Sequence, residues 1–167
     1  VGIVASLRQV KRLDRFIEMA GIVLHSVPRT HFLVLGEGEL DATLKSQVRE
    51  HGLADRVHFL GQVAEVNAYV PLFDVGVLTS ESEGMSNTLM EYAAGSVPAV
   101  AFDTGGNREV VSDGRTGFLI SDGNVEDMAA KVVAILTDND LKQQLSEQCT
   151  KHVADRFAPK VIIRELM

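Results

Sequence analysis

Short, almost wholly apolar runs recur along this chain, and longer amphipathic stretches separate them. Four of the runs are Val1–Ala5, Phe32–Leu35, Val75–Leu78 and Val97–Phe102. A strand with one wet face alternates apolar and polar residues, whereas an unbroken apolar strand has both faces covered. Such strands belong to parallel sheets lying between layers of helix. The intervening stretches provide those layers. Over Leu13–Val27, the residues Leu13, Phe16, Ile17, Ala20, Val23, Leu24 and Val27 fall at helical spacing.

The same reading gives strands at Val1–Ala5, His31–Gly36, Arg56–Leu60, Asp74–Leu78, Val97–Phe102 and Phe118–Ile120. Helices are expected at Leu13–Val27, Leu40–His51, Glu65–Leu72, Asn87–Ala94, Arg108–Ser112, Val125–Leu136 and Leu141–Arg156. Gly52 and Gly95 close two of them, and Pro71 ends a third. Asp138 or Asn139 is a cap candidate for the last. The expected architecture is a Rossmann-like, doubly wound parallel α/β sheet of about six strands, with helices on both faces and right-handed crossovers. Ligands in such folds sit beyond the carboxyl ends of the strands. The loops that follow strands are therefore the places to look.

Composition narrows what those loops can do. The 167 residues suffice for one domain with a sizeable core. A formal net charge of -7 gives no support to nucleic-acid binding, which needs a cationic surface. One cysteine, Cys149, excludes a disulfide framework and a multi-cysteine metal site. No apolar run approaches the length of a membrane span, and no signal peptide is visible. The chain opens directly on a strand, and Val161–Met167 reads as helix without a stop signal. We expect 1–167 to be a single domain and a fragment of a longer protein.

Five loops follow strands. Ser6–Arg12 carries Arg8, Lys11 and Arg12, three cations at the ligand edge of an acidic domain. Cations at a helix start oppose the helix dipole. They suit a diphosphate, although a solvated helix start is the plainer reading. Gly36-Glu37-Gly38-Glu39 lacks the third glycine of a dinucleotide fingerprint and reads as a tight strand-to-helix turn. Leu60-Gly61-Gln62-Val63 says only that the chain turns, with Gly61 open to a flat ring.

The fourth loop, Thr79–Glu91, is the richest. Gly84 permits backbone near a ligand, and Ser86 or Asn87 can cap the following helix. The free N–H groups of that helix's first turn can hold an anion. Glu91 lies one turn in and leans back toward the same place, where it can accept from a vicinal diol. Glu83 stands in the loop, within reach of sugar hydroxyls. Glutamates eight positions apart arise easily by chance, so the bare pair also fits two surface residues. The fifth loop, Asp103–Glu109, offers Gly105 and Gly106 before a helix start, and the plainer reading of Glu109 is that it complements that helix's dipole.

The run from Glu83 through Glu91 to Val100 resembles the E-x7-E region of retaining glycosyltransferases of family 4. Ser6–Arg12 resembles that family's phosphate loop, Gly36-Glu37-Gly38 its second turn, and Phe59-Leu60-Gly61 its base-side loop. Gly105–Glu109 resembles its Gly-Gly-x-x-Glu, and Gly117-Phe118-Leu119 the strand after it. Six landmarks in family order cover nearly the whole chain.

The resemblance implies the C-terminal, donor-binding half of a two-domain GT-B fold. It implies that Lys11 contacts the donor diphosphate, that the Val63 backbone holds the base, that Glu91 takes the ribose hydroxyls and that Glu83 takes the donor sugar. Gly84, Met85, Ser86, Asn87 and Thr88 would lie against sugar and phosphate, with Gly105 and Gly106 beside them. The family often has Gly-Arg where this chain has Ala5-Ser6; Arg8 is the candidate replacement, which makes Glu83, Lys11 and Arg8 the catalytic candidates.

The donor is expected to be a nucleotide-sugar such as a UDP- or GDP-sugar, used without a metal or other cofactor. Transfer would proceed with retention, through an oxocarbenium-like transition state whose leaving diphosphate is stabilised electrostatically. The acceptor, whether glycan, lipid or small molecule, would belong to an N-terminal domain, and this chain alone would be inactive. A cytoplasmic location is expected, at the membrane face if the acceptor is a lipid.

Two rivals are a GT-B sugar-nucleotide epimerase and a non-catalytic nucleotide- or sugar-binding module. The landmark order disfavours the first, and intact Glu83, Glu91 and Lys11 disfavour the second. A receiver domain would need an acidic cluster where Ser6–Arg12 is basic.

Overall fold

The computed structural model describes residues 1–121 and 123–156. Six parallel strands form one sheet: β1 (Gly2–Val4), β2 (Phe32–Leu35), β3 (Val57–Gly61), β4 (Gly76–Leu78), β5 (Ala99–Phe102) and β6 (Gly117–Ile120). Their spatial order is β3-β2-β1-β4-β5-β6, the doubly wound arrangement expected from the apolar runs. The helices are α1 (Leu13–Ser26), α2 (Asp41–Glu50), α3 (Val66–Tyr69), α4 (Asn87–Ala94), α5 (Asn107–Val110), α6 (Val125–Thr137) and α7 (Asn139–Arg156). The helical expectation for Val161–Met167 lies outside the described residues.

Strand alternation splits the core into two layers. Val34, Val77, Val100 and Phe102 face a cluster that includes Phe16, Ala20 and Val23 of α1 and Met128 and Val132 of α6. Their neighbours Leu35, Leu78, Ala99 and Ala101 face a second cluster with Leu89 and Tyr92 of α4 and Val110 of α5. Successive side chains of a strand point to opposite faces, so a strand buried on both sides must be apolar throughout.

Two elements differ from expectation. The helix read over Glu65–Leu72 is one turn of α-helix followed by a 3-10 turn at Val70–Leu72. Pro71 has no N–H to continue the ladder. The basic loop after β1 also folds into a 3-10 turn, Gln9–Lys11, before α1 begins. Arg12 joins the two with φ 47° and ψ 48°, a left-handed conformation unusual for a residue with a side chain.

The sheet opens at its switch point. β1 and β4 pair at Gly2 and Gly76, and past that point the Tyr92 hydroxyl stands between them. It accepts from the Val4 N–H at 2.9 Å and donates to the Val77 carbonyl at 3.3 Å. Tyr92 is fully buried, and that burial holds its phenol well above the ordinary value of 10.0. The paired glycines make room for the aromatic rings below. A Cβ on Gly76 would stand 2.4 Å from the Tyr92 ring, and one on Gly2 would stand 2.1 Å from the Phe73 ring.

Candidate functional site

A cavity of about 620 Å³ opens at the carboxyl ends of the strands, over the gap between β1 and β4. Val4, Ala5, Ser6 and Lys11 line one wall. Gly36, Glu37, Gln62 and Val63 line a second, and Glu83, Met85, Ser86, Asn87, Thr88 and Glu91 a third. Four of the five loops singled out in the sequence therefore meet at one opening.

Helix α4 supplies the third wall because of how it starts. Ser86 is buried and its hydroxyl accepts from the Leu89 N–H at 3.4 Å, while its carbonyl takes the Met90 N–H at 3.2 Å. Asn87 and Thr88 contribute the first-turn N–H groups, which have no partner within a helix. Both residues line the cavity, so the positive end of the helix dipole faces it. The Thr88 hydroxyl donates to the Val4 carbonyl at 3.2 Å and fixes the helix start to β1.

Two of the charged groups are engaged with one another. Lys11 Nζ donates to Glu83 Oε1 at 2.6 Å, and the two side chains keep only 24% and 11% of their exposure. Glu91 is half-buried, and desolvation raises its carboxyl above the ordinary value of 4.5. Where the sequence offered three cations, the structure separates their surroundings. Lys11 lines the cavity, and exposed Arg8 lies outside its lining. Arg12 forks onto Asp14 and reaches Glu81. Those bonds, Asp14's foremost, raise the guanidinium pKa and lower that of Asp14.

The glycines work at one remove from the opening. Gly84, Gly105 and Gly106 are outside the lining. A Cβ on Gly84 would meet nothing within 4 Å. Gly105 has φ 52°, and a Cβ there would stand 1.8 Å from the Glu83 carbonyl oxygen. The Gly106 N–H donates to the carbonyls of Glu83 at 3.3 Å and Gly84 at 3.2 Å. The Gly-Gly loop is thus the support on which Glu83 rests. At Gly36, with φ 134°, a Cβ would stand 2.0 Å from the Ala5 carbonyl oxygen, so that loop is a close turn packed on the end of β1.

Sequence reasoning missed the supporting polar contacts. The Thr79 hydroxyl donates to the Lys11 carbonyl at 2.8 Å, and the Thr104 hydroxyl to the Glu81 carbonyl at 2.7 Å. Threonine in a loop carries no signal of a distant partner, and Tyr92 on an amphipathic helix looks like any core residue. Among the described residues no group of three or more His, Cys, Asp and Glu is arranged to hold a metal ion. Among them, too, no helix is long and apolar enough to cross a membrane.

Residues 1–152 match the family model described as glycosyl transferases group 1. The chain is 27% identical over 162 residues to N-acetyl-alpha-D-glucosaminyl L-malate synthase of Bacillus anthracis, covering 97% of this chain and 42% of that protein. It spans less than half the length of the first curated relatives it matches. Among solved structures it superposes on S. aureus TarM in complex with Fondaparinux, alpha-GlcNAc-glycerol and UDP, with a TM-score of 0.93 at 23% identity, over 99% of this chain and 34% of that one. It also matches the C-terminal domain of the glycosyl transferase group 1 family protein LpcC from Francisella tularensis, with a TM-score of 0.86 at 23% identity, over 95% of this chain and 86% of that one. At these identities the structural likeness establishes a shared fold.

Proposed function

This chain belongs to the glycosyl transferases group 1 family, and from that premise we propose that it is the donor-binding half of a retaining, family 4 glycosyltransferase. Its fold is one Rossmann-like half of a GT-B enzyme. The convergence of Lys11, Glu83, Glu91 and the start of α4 on one cavity carries the proposal. An anion at the helix start and Lys11, with two carboxylates beside it to accept from hydroxyls, matches a nucleoside diphosphate joined to a sugar.

In this reading Lys11 and the N–H groups of Asn87 and Thr88 hold the diphosphate. Glu91 accepts from the ribose hydroxyls, Glu83 from the donor sugar, and the Val63 backbone lies against the base. Arg8 reaches the diphosphate from outside the cavity. As the bond from the anomeric carbon to the diphosphate oxygen breaks, charge grows on the leaving oxygen. Lys11 and the helix start are in place to stabilise it. The acceptor hydroxyl attacks the same carbon, and its proton leaves with the diphosphate. Neither donor binding nor this electrostatic stabilisation calls for a metal. Acceptor binding falls to a second domain, so this chain alone binds donor without turnover.

TarM was solved with UDP bound, which favours UDP and UDP-sugars as the first ligands to try. Calorimetry with UDP, GDP and their hexose conjugates tests the proposal, run with and without EDTA. We expect binding that EDTA leaves unchanged and that Lys11→Ala and Glu91→Ala weaken. Absence of binding to every one of these ligands would overturn it.

A further inference from the structure

Arg12 occupies a backbone conformation that suits glycine, yet it carries a long charged side chain that does not line the cavity. Its Nε donates to Asp14 Oδ1 at 3.0 Å and its Nη2 to Asp14 Oδ2 at 2.8 Å. Its Nη1 donates to Glu81 Oε1. The side chain retains only 19% of its exposure. Arg12 follows Lys11 directly, and Glu81 precedes Glu83 by two residues.

Glu81 is held at three points, from two other segments. Its N–H donates to the Val10 carbonyl at 3.0 Å, its carbonyl accepts from Thr104 Oγ1 at 2.7 Å, and its carboxylate accepts from Arg12. One residue thus ties the loop bearing Lys11 to the loop bearing Glu83 and to the loop after β5 that supports Glu83. A planar guanidinium that fills two carboxylates at once fixes direction as well as distance.

We infer that Arg12 is a positioning residue, which sets Glu83 over the cavity by locking Glu81, and thereby governs affinity for the sugar of a nucleotide-sugar rather than for the nucleotide. This rests on the donor-site reading above. The left-handed backbone and the half-buried fork act in opposite directions on stability. A glycine at this position relaxes the backbone and removes the lock. Stability and sugar affinity should therefore part company.

Arg12→Gly tests this, with Glu81→Gln breaking the same lock from the other side and leaving the Arg12 backbone untouched. Thermal melts and calorimetry with UDP and UDP-glucose are the readouts, with GDP and GDP-mannose as a second pair. We expect both variants to bind the nucleotide-sugar about tenfold more weakly, the worth of one misplaced charge-assisted hydrogen bond, while the free nucleotide binds within about twofold of wild type. The double variant should be no weaker than either single one. Arg12→Lys, which keeps charge without the fork, should not restore affinity.

Equal binding of the nucleotide-sugar by wild type and both single variants overturns the inference, whatever the melting temperatures. An equal loss for nucleotide and nucleotide-sugar also overturns it, since that places the effect on Lys11. A wild-type chain that binds none of these ligands overturns the donor-site reading instead.

Discussion

Lys11 Nζ and Glu83 Oε1 stand 2.6 Å apart, joining two loops 72 positions distant in the chain. The cavity carries its own counter-ion for Lys11. A diphosphate that reaches for Lys11 must displace a carboxylate and accept its negative charge nearby. Glu83→Gln removes both obstacles. We expect this variant to bind UDP or GDP about threefold to tenfold more tightly, by calorimetry, and to lose transfer in the two-domain enzyme proposed above. Lys11→Ala should weaken the same nucleotides by about tenfold or more.

Glu91 couples binding to stability. Burial raises its carboxyl above the ordinary value of 4.5, so the folded chain favours the protonated form more than the unfolded chain does. Stability is therefore lost as pH rises through 4.5 and past the raised folded value, and the cost is fully present at neutral pH. Glu91→Gln should melt higher than wild type at neutral pH, with the difference vanishing once the pH falls below 4.5. Its nucleotide affinity should fall. A melting temperature that does not depend on this substitution at any pH would refute the argument.

Tyr92→Phe keeps the ring and removes the hydroxyl that bridges Val4 and Val77. The Val4 N–H and Val77 carbonyl then lose a partner between two strands. The cost should be about 1–3 kcal/mol, read from the midpoint of urea denaturation. The ring itself is confined by Gly76, so Gly76→Ala should be worse than Gly84→Ala, whose added methyl would meet nothing.

Cys149 is buried, with its thiol donating to the Thr116 carbonyl at 3.3 Å, and burial pushes its pKa up to about 12. Only a thiolate reacts readily with disulfide reagents. In the native chain Cys149 should resist such a reagent at neutral pH and react at once in urea. Rapid labelling without denaturant would contradict the packing of α7.

The sheet was legible because burial on both faces writes unbroken apolar runs into Phe32–Leu35 and Ala99–Phe102. The meeting of Lys11, Glu83 and Glu91 at one cavity was legible because doubly wound folds bring the loops after their strands to one edge. What holds those residues was not. Arg12 looked like a phosphate cation, and its charge is taken up by Asp14 and Glu81 instead. Gly105 looked like a place for a ligand, and on its Cβ side it packs on the Glu83 carbonyl. Such pairings depend on loop geometry over long sequence separations, which residue type and spacing do not encode.

Helix α4 sends adjacent residues in two directions, with Glu91 at the cavity and Tyr92 wedged in the split of the sheet. The helix is a keystone, and weight placed on one face is borne by the other. A ligand that steadies Glu91 steadies the hydroxyl one residue on, and with it the amide of Val4 at the end of β1. Occupancy of the cavity should then be recorded as slowed hydrogen exchange at the Val4 amide, which donates to the Tyr92 hydroxyl.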